Sequence, residues 1–408
     1  MMTRMWKGLS VTLGAWAAGA LLLRVLVVPG QHCPALTSAD ALQGARDSGA
    51  WMARVQRDDG SYLYEYDIAA NRPIPGYNAV RHAGVTMALY QLAAYGEPGD
   101  GADVLATADR GLGWLQANLV SYDGWTALRD PDDGAIESGG NALLLAALAQ
   151  RRIATSDARY DGLMREVGAY LRVMEQSDGS FLLAWLPTTG KPDPTQRSKY
   201  ATGEAFWALA LMHRLFPGEG WDEPARTVAD YLALHRDTVE KQDYPPWADQ
   251  WAAYGLAEMA AWPEAARGPV LNDAQITYAR SLAERFGFLV RVESQRTGSW
   301  FSTLIQGRES RAAGMGTWVE ALDSLWILAS LDPRMADLRG KLGERAICAA
   351  GMLRDRQVTP TESPRYRSTD VAAGAWFTNG VTRMDDQQHA LSGLLRSRSI
   401  LEAGGRRQ

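Results

Sequence analysis

Six stretches of this 408-residue chain read as helices that are apolar on nearly every side after their first turn. In chain order they are VRHAGVTMALYQLAAYG, IESGGNALLLAALAQ, YATGEAFWALALMHRLF, WADQWAAYGLAEMAAW, TWVEALDSLWILASL and RMDDQQHALSGLL. A helix that is hydrophobic all round must be covered on all sides. Each carries a small residue followed by leucine: Ala88-Leu89, Ala142-Leu143, Ala208-Leu209, Gly255-Leu256, Ala321-Leu322 and Ala390-Leu391. These pairs recur at intervals of about 45 to 70 residues, a loose repeat with loop insertions. Between them lie amphipathic segments such as LMREVGAYLRVMEQ and PARTVADYLALHRDTV, apolar at three- and four-residue spacing and charged on the other face. The alternation has a simple packing solution, with the buried helices as an inner ring and the amphipathic ones outside it. Small residues on the inner helices let their backbones approach closely. The pattern therefore predicts an all-α fold, an (α/α)6 toroid of six helical hairpins forming one domain over residues 34–408. An open α-solenoid would leave an apolar end that needs a cap, which a closed ring avoids.

The links between outer and inner helices share a Gly-aromatic signature. DGSYLYEYD begins at Asp59, DGSFLLAW at Asp178 and GSWFSTL at Gly298, with YDGW at Tyr122 and GAW at Gly374 in the same slot. Glycine permits the turn and the aromatic packs the link on the ring. The first copy alone continues into a tyrosine alternation, Tyr62, Tyr64 and Tyr66, which reads as a short strand or hairpin over a cavity mouth.

In this order of helices and links the chain resembles the six-hairpin (α/α)6 superfamily of glycan-active proteins. That group includes six-hairpin glycosidases, α/α-barrel polysaccharide lyases and the helical domain of glucuronyl C5-epimerases. It also resembles the terpenoid-cyclase and prenyltransferase toroids, although RMDDQQHA meets the acidic DxDD motif of terpene cyclases only in part. The resemblance is architectural and transfers no family's catalytic residues.

Polar residues crowd the start of every inner helix: Arg81 and His82, Glu137, Thr202 and Glu204, Asp249 and Gln250, Thr317 and Glu320, then Asp385, Asp386, Gln387, Gln388 and His389. Any one acid there also serves as a helix cap or dipole partner. Together they place acids and bases around one cavity. Glycosidic hydrolysis needs two carboxyls flanking the bond, and Glu204, Asp249 and Asp386 are the acid/base candidates. Glu204 lies deepest, where burial raises a carboxyl toward general-acid duty. In NAVRHAG, Asn78, Arg81 and His82 stand at a helix start. Arg81 suits a planar carboxylate such as a uronic acid and His82 a proton relay. With the tyrosines they suit lyase or epimerase chemistry. Tyr62, Tyr64, Tyr66, Asn78, Arg81, His82, Glu137, Glu320, Asp385 and His389 form the candidate substrate-binding set.

Metal and nucleotide sites are not expected: the five histidines are dispersed, and no HExxH, Walker, GxGxxG or GxSxG pattern occurs. The acidic loop Asp130–Glu137 lacks EF-hand spacing. No cofactor is expected. A net charge of −5 argues against nucleic acid as partner. The 15 Trp and 15 Tyr against 7 Phe suit half-wet stacking on sugar rings.

At the N-terminus Arg4 and Lys7 precede an apolar run from Leu9 to Val28, broken only by Arg24. That run is about long enough to span a bilayer. Residues 1–33 are therefore read as an uncleaved anchor and linker, which leaves the rest of the chain outside the cytoplasm. Cys33 and Cys348 have no metal-site spacing, and their pairing stays open. The function expected is a membrane-anchored, outward-facing enzyme acting on a polysaccharide or oligosaccharide, by hydrolysis or by lyase or C5-epimerase chemistry on a uronate. The alternatives are a non-catalytic binding or assembly factor working with envelope-polymer export proteins, and an isoprenoid-binding toroid.

Overall fold

A computed structural model describes residues 2–26, 29–97, 101–241 and 247–405, and their side chains except for 2–10, 25, 26, 101, 102 and 405. Helix α1 (Met2–Leu26) precedes the ring. The outer helices are α2 (Ser38–Val55), α4 (Gly101–Ala117), α6 (Asp161–Met174), α8 (Asp222–Leu234), α11 (Asp273–Ser294) and α14 (Arg339–Asp355). The inner helices are α3 (Ala79–Tyr95), α5 (Ser138–Thr155), α7 (Ala201–Leu215), α10 (Gln250–Ala260), α13 (Ala312–Leu331) and α16 (Met384–Gly405). Short helices α9 (Arg236–Val239), α12 (Trp300–Gln306) and α15 (Thr369–Ala372) occupy links.

Burial follows the sequence pattern. In α5 every residue from Ser138 to Arg151 is buried, whereas α6 buries one face only, Met164, Val167, Gly168, Tyr170, Leu171 and Met174. The inner ring closes: α3 packs on α5, α5 on α7, α7 on α10, α10 on α13, α13 on α16, and α16 on α3. Close approach depends on glycine at Gly316, where a Cβ would stand 2.3 Å from the His389 carbonyl carbon.

The repeated link glycines carry the closure outward. Gly60, Gly179 and Gly374 all have φ between +84° and +87°. A Cβ on each would meet a carbonyl oxygen, that of Arg110 in α4, Thr227 in α8 and Asp47 in α2 respectively. Each link is thus seated on the next outer helix round the ring, and the last link is seated on the first helix. Asp59 and Asp178 fix the turns by accepting from the backbone N–H and hydroxyl of Ser61 and Ser180.

The links hold more strand than the one short strand or hairpin expected at the tyrosine alternation. Among the described residues eight short strands lie in the links: β1 (Glu65–Asp67), β2 (Arg72–Ile74), β3 (Leu119–Tyr122), β4 (Trp125–Leu128), β5 (Ile136–Glu137), β6 (Ala184–Leu186), β7 (Lys191–Pro192) and β8 (Val381–Arg383). Antiparallel pairing of β1 with β8 sets Glu65 opposite Arg383 and joins the first link to the last. Cys33 and Cys348 form a disulfide that staples the segment after α1 to α14. Among the described residues no helix is long and apolar enough to cross a membrane. Part of the Leu9–Val28 run lies outside the described side chains.

Candidate active site

A cavity of about 520 Å³ opens where the inner helices begin. Every inner helix start reaches it, through Arg81 beside α3's first turn, Glu137 before α5, Tyr200 and Glu204 at α7, Gln250 and Trp251 at α10, Thr317 and Trp318 at α13, and Asp385 and His389 at α16. Trp207, Trp251 and Tyr254 stack beneath it, with ring centroids 4.6 to 5.6 Å apart. A second cavity of about 490 Å³ opens at the opposite helix ends. Its arginines are all paired, Arg214 with Glu258, Arg396 with Asp323 and Arg398 with Glu402.

Glu204 is 5% exposed, and among the described residues no hydrogen bond holds its carboxyl. Burial first, then the negative charges of Asp249 and Glu137, push it up to about 8. Its Oε2 lies over Gly139 of α5, where a Cβ would come within 2.4 Å. An acid in this state keeps its proton at neutral pH. Glu137 is also raised, by burial and by Asp133 and Asp130.

Asp385 sits on the cavity wall with its Oδ2 3.5 Å from Arg81 Nε, while its buried Oδ1 has no hydrogen-bond partner among the described residues. Arg81 also donates to Tyr64 Oη at 2.5 Å and lies 3.9 Å from Glu65, which is itself paired with Arg383. The guanidinium is shared among groups of the protein, so it is not a spare cation awaiting a uronate.

His389 pairs through Nδ1 with Glu320 at 3.0 Å. Burial works against the imidazolium, but Glu320, Asp385 and Asp386 outweigh it and raise the pKa. Glu320 is fully buried behind the ring and orients it, while the ring itself reaches the cavity. Tyr200, nearly half exposed, meets Trp247 edge-on at 5.2 Å, and together with Trp251 and Trp318 they give the cavity aromatic walls.

The sequence-selected residues divide into two groups. Glu204, Asn78, Arg81, Glu137, Asp385 and His389 line the cavity, with Tyr64 and Glu320 directly behind them. Asp249 and Asp386 do not. Asp249 is fully buried, caps α10 through the N–H groups of Trp251 and Ala252, and is ion-paired with buried Arg236. Asp386 accepts from Ala313 N–H at 3.1 Å and is ion-paired with Arg311. Their acid/base assignment gives way to a positioning one, because the lone pairs of both carboxylates are spent inside the protein.

His82 is also displaced from its expected role. It is fully buried, its Nε2 donates to Gly111 O at 2.8 Å, and its Nδ1 accepts from Tyr77 Oη at 2.6 Å. Burial drives its pKa down to about 3, so it stays neutral and cannot relay protons near pH 7. Tyr62 packs beside it, and Tyr66 bonds Ser368 and Asn71. The tyrosine alternation therefore delivers only Tyr64 to the site. Tyr200 and Trp247 went unselected. The one signal for them was position, each a few residues before an inner helix.

No metal-capable cluster of His, Cys, Asp and Glu occurs among the described residues. No family model and no curated protein matches the sequence. Solved structures do match over almost the whole chain. An unsaturated glucuronyl hydrolase specific for heparin aligns with a TM-score of 0.59 at 12% identity, covering 89% of this chain and 98% of its own. Cellobiose 2-epimerase from Spirochaeta thermophila aligns at 0.56 and 15%, covering 89% and 98%. The family 76 glycoside hydrolase (mannosidase) of Bacteroides thetaiotaomicron aligns at 0.55 and 13%, covering 89% and 100%. The fold is the six-hairpin (α/α)6 toroid. At these identities the likeness speaks for the toroid alone, and the chemistry rests on the residues described above.

Proposed function

We propose that this toroid is a carbohydrate-processing enzyme that hydrolyses a glycosidic bond in the cavity at the inner-helix N-termini. The observation that carries the proposal is one pair of carboxyls in opposed states. Glu204 has no side-chain partner among the described residues, is buried and is pushed up to about 8, and Asp385 is ion-paired with Arg81. A carboxyl that keeps its proton and a second carboxyl paired with a cation, lining one cavity, are what acid/base catalysis at neutral pH requires. In this assignment Glu204 protonates the leaving oxygen. Asp385, on the same cavity wall, serves the opposite face of the sugar as base or nucleophile. Tyr200, Trp247, Trp251 and Trp318 offer flat faces for the ring. The structural neighbours, a glucuronyl hydrolase, a mannosidase and a cellobiose 2-epimerase, agree with a saccharide substrate.

One observation favours a second reading. The His389–Glu320 pair places an oriented imidazole on the cavity, which suits proton transfer at a carbon beside a carbonyl, as in epimerisation. Incubating the full chain with an oligosaccharide panel in D2O separates the readings. Hydrolysis yields new reducing ends with no deuterium on carbon, whereas epimerisation exchanges deuterium into the product. Saccharide binding without either outcome would replace the enzyme by a binding factor.

The proposal includes the setting. The run Leu9–Val28 anchors the chain, and the toroid lies outside the cytoplasm. The disulfide supports this setting, because such bonds persist in oxidising compartments.

A further inference from the structure

The link between α11 and α13 is built inside out. Its helix α12 turns Ser302 inward, where the hydroxyl bonds Gln306 and the Thr297 N–H, and turns its apolar residues to the outside. Trp300 is 77% exposed and Leu304 66%, with Ile305 also exposed. Phe288, near the end of α11, adds a fourth exposed apolar side chain. The helix is held in this orientation: Ser299 caps it, and Arg296 donates twice to Gln306 O. Such a helix gains nothing from water on that face. In the chain Arg291 precedes it and Arg308 follows it, both exposed and both without an ion-pair partner among the described residues, with the exposed Glu309 next to Arg308.

Two further facts place this patch. The link joins the site-facing ends of α11 and α13, and Leu289, Ala313 and Gly314 on either side of it line the cavity. The segment following α1 is anchored at the same spot. His32 N–H donates to Ser294 O, Gln295 donates to Pro29 O, and the disulfide at Cys33 pins the segment to α14. Helix α1, whose Val11, Leu13, Trp16 and Leu21 to Leu23 are exposed, ends three residues before this anchored Pro29.

We propose that α12 and α1 together seat the toroid on an anionic bilayer with the cavity mouth turned toward the lipid, so that the substrate is a saccharide carried by the membrane. This rests on the saccharide reading of the cavity and specifies how the substrate is presented. A seven-residue helix is too short to span a bilayer but suits the interface, where tryptophan is favoured and arginine meets anionic headgroups.

Both native cysteines are paired, so one introduced thiol can carry an environment-sensitive fluorophore. The full chain is labelled at Leu304→Cys, or at Arg159→Cys in the α5–α6 connection on the opposite face, and added to vesicles of anionic and zwitterionic lipid. The expected result is a blue shift and quenching by spin-labelled lipid at position 304 and neither at 159. Equal signals at both positions, no signal at 304, or no association with vesicles would overturn the proposal. In a second arm, Leu304→Asp lowers turnover of a lipid-linked oligosaccharide in vesicles by about tenfold or more and leaves turnover of the free oligosaccharide unchanged. Equal loss on both substrates would also overturn it. Absence of all turnover, with the fluorophore result intact, would count against the enzymatic reading and not against the orientation.

Discussion

Replacing Asp249 by alanine separates a structural carboxylate from a catalytic one. The side chain has two jobs. It caps α10 through two backbone N–H groups, and losing such a cap costs about 1 kcal/mol. It also neutralises Arg236, which is 1% exposed, and stranding a buried charge costs about 3–5 kcal/mol. Glu240 at 3.2 Å and the Lys199 carbonyl still hold the guanidinium, which argues for the lower end, so the total is about 4 kcal/mol. Asparagine preserves the cap and should cost about 3 kcal/mol. Arg236→Met with Asp249→Asn and Glu240→Gln should recover most of the loss, because removing a buried charged cluster together is far milder than breaking it. Urea unfolding followed by circular dichroism reads all three. Lys199 precedes Tyr200, so the single variants should also weaken substrate binding through the cavity wall. Wild-type stability in Asp249→Ala together with complete loss of turnover would refute the positioning role and return Asp249 to the chemistry.

Three other outcomes follow from the same geometry. Glu204 is raised in the folded state from 4.5 to about 8, so the folded chain binds the proton more tightly than the unfolded one. Stability should therefore fall as pH rises from about 4.5 to about 8, and Glu204→Gln should flatten that decline in pH-dependent denaturation. His82 has the opposite sign: its pKa falls from 6.5 to about 3, so its contribution is intact above 6.5 and lost as pH drops toward 3. Loss of stability in acid should be shallower in a His82→Asn variant that still folds. Gly316→Ala should cost about 1–3 kcal/mol in the same assay, because the methyl drives α13 off the backbone of α16 at His389.

The ring was legible because burial writes itself directly into composition. A segment such as Ala142–Ala149, apolar on all faces, admits no surface position, and six of them leave few arrangements. The repeated Asp-Gly-Ser was legible as a turn, but its seating on the next outer helix was not, since Arg110 and Asp47 lie far away in sequence. At the site, sequence position sufficed for Glu204, Asp385 and His389, each within the first two turns of an inner helix. It failed for His82 and Asp249, which occupy equivalent positions. The difference lies in partners from distant segments: Gly111 and Trp114 enclose His82, and Arg236 enclose Asp249. Tyr200 and Trp247 lie in loops whose course no periodicity encodes. The disulfide depended on the folded path of residues 29–37, which has no local signal.

The most direct test of the central claim compares two substrates in Glu204→Gln, a natural oligosaccharide and a glycoside whose leaving group needs no proton, such as a dinitrophenyl glycoside. If Glu204 is the general acid, turnover of the oligosaccharide falls by about 10²–10⁴-fold while the activated glycoside is cleaved at close to the wild-type rate. Equal loss on both substrates, in a variant of unchanged stability, would contradict the assignment of Glu204 as the proton donor.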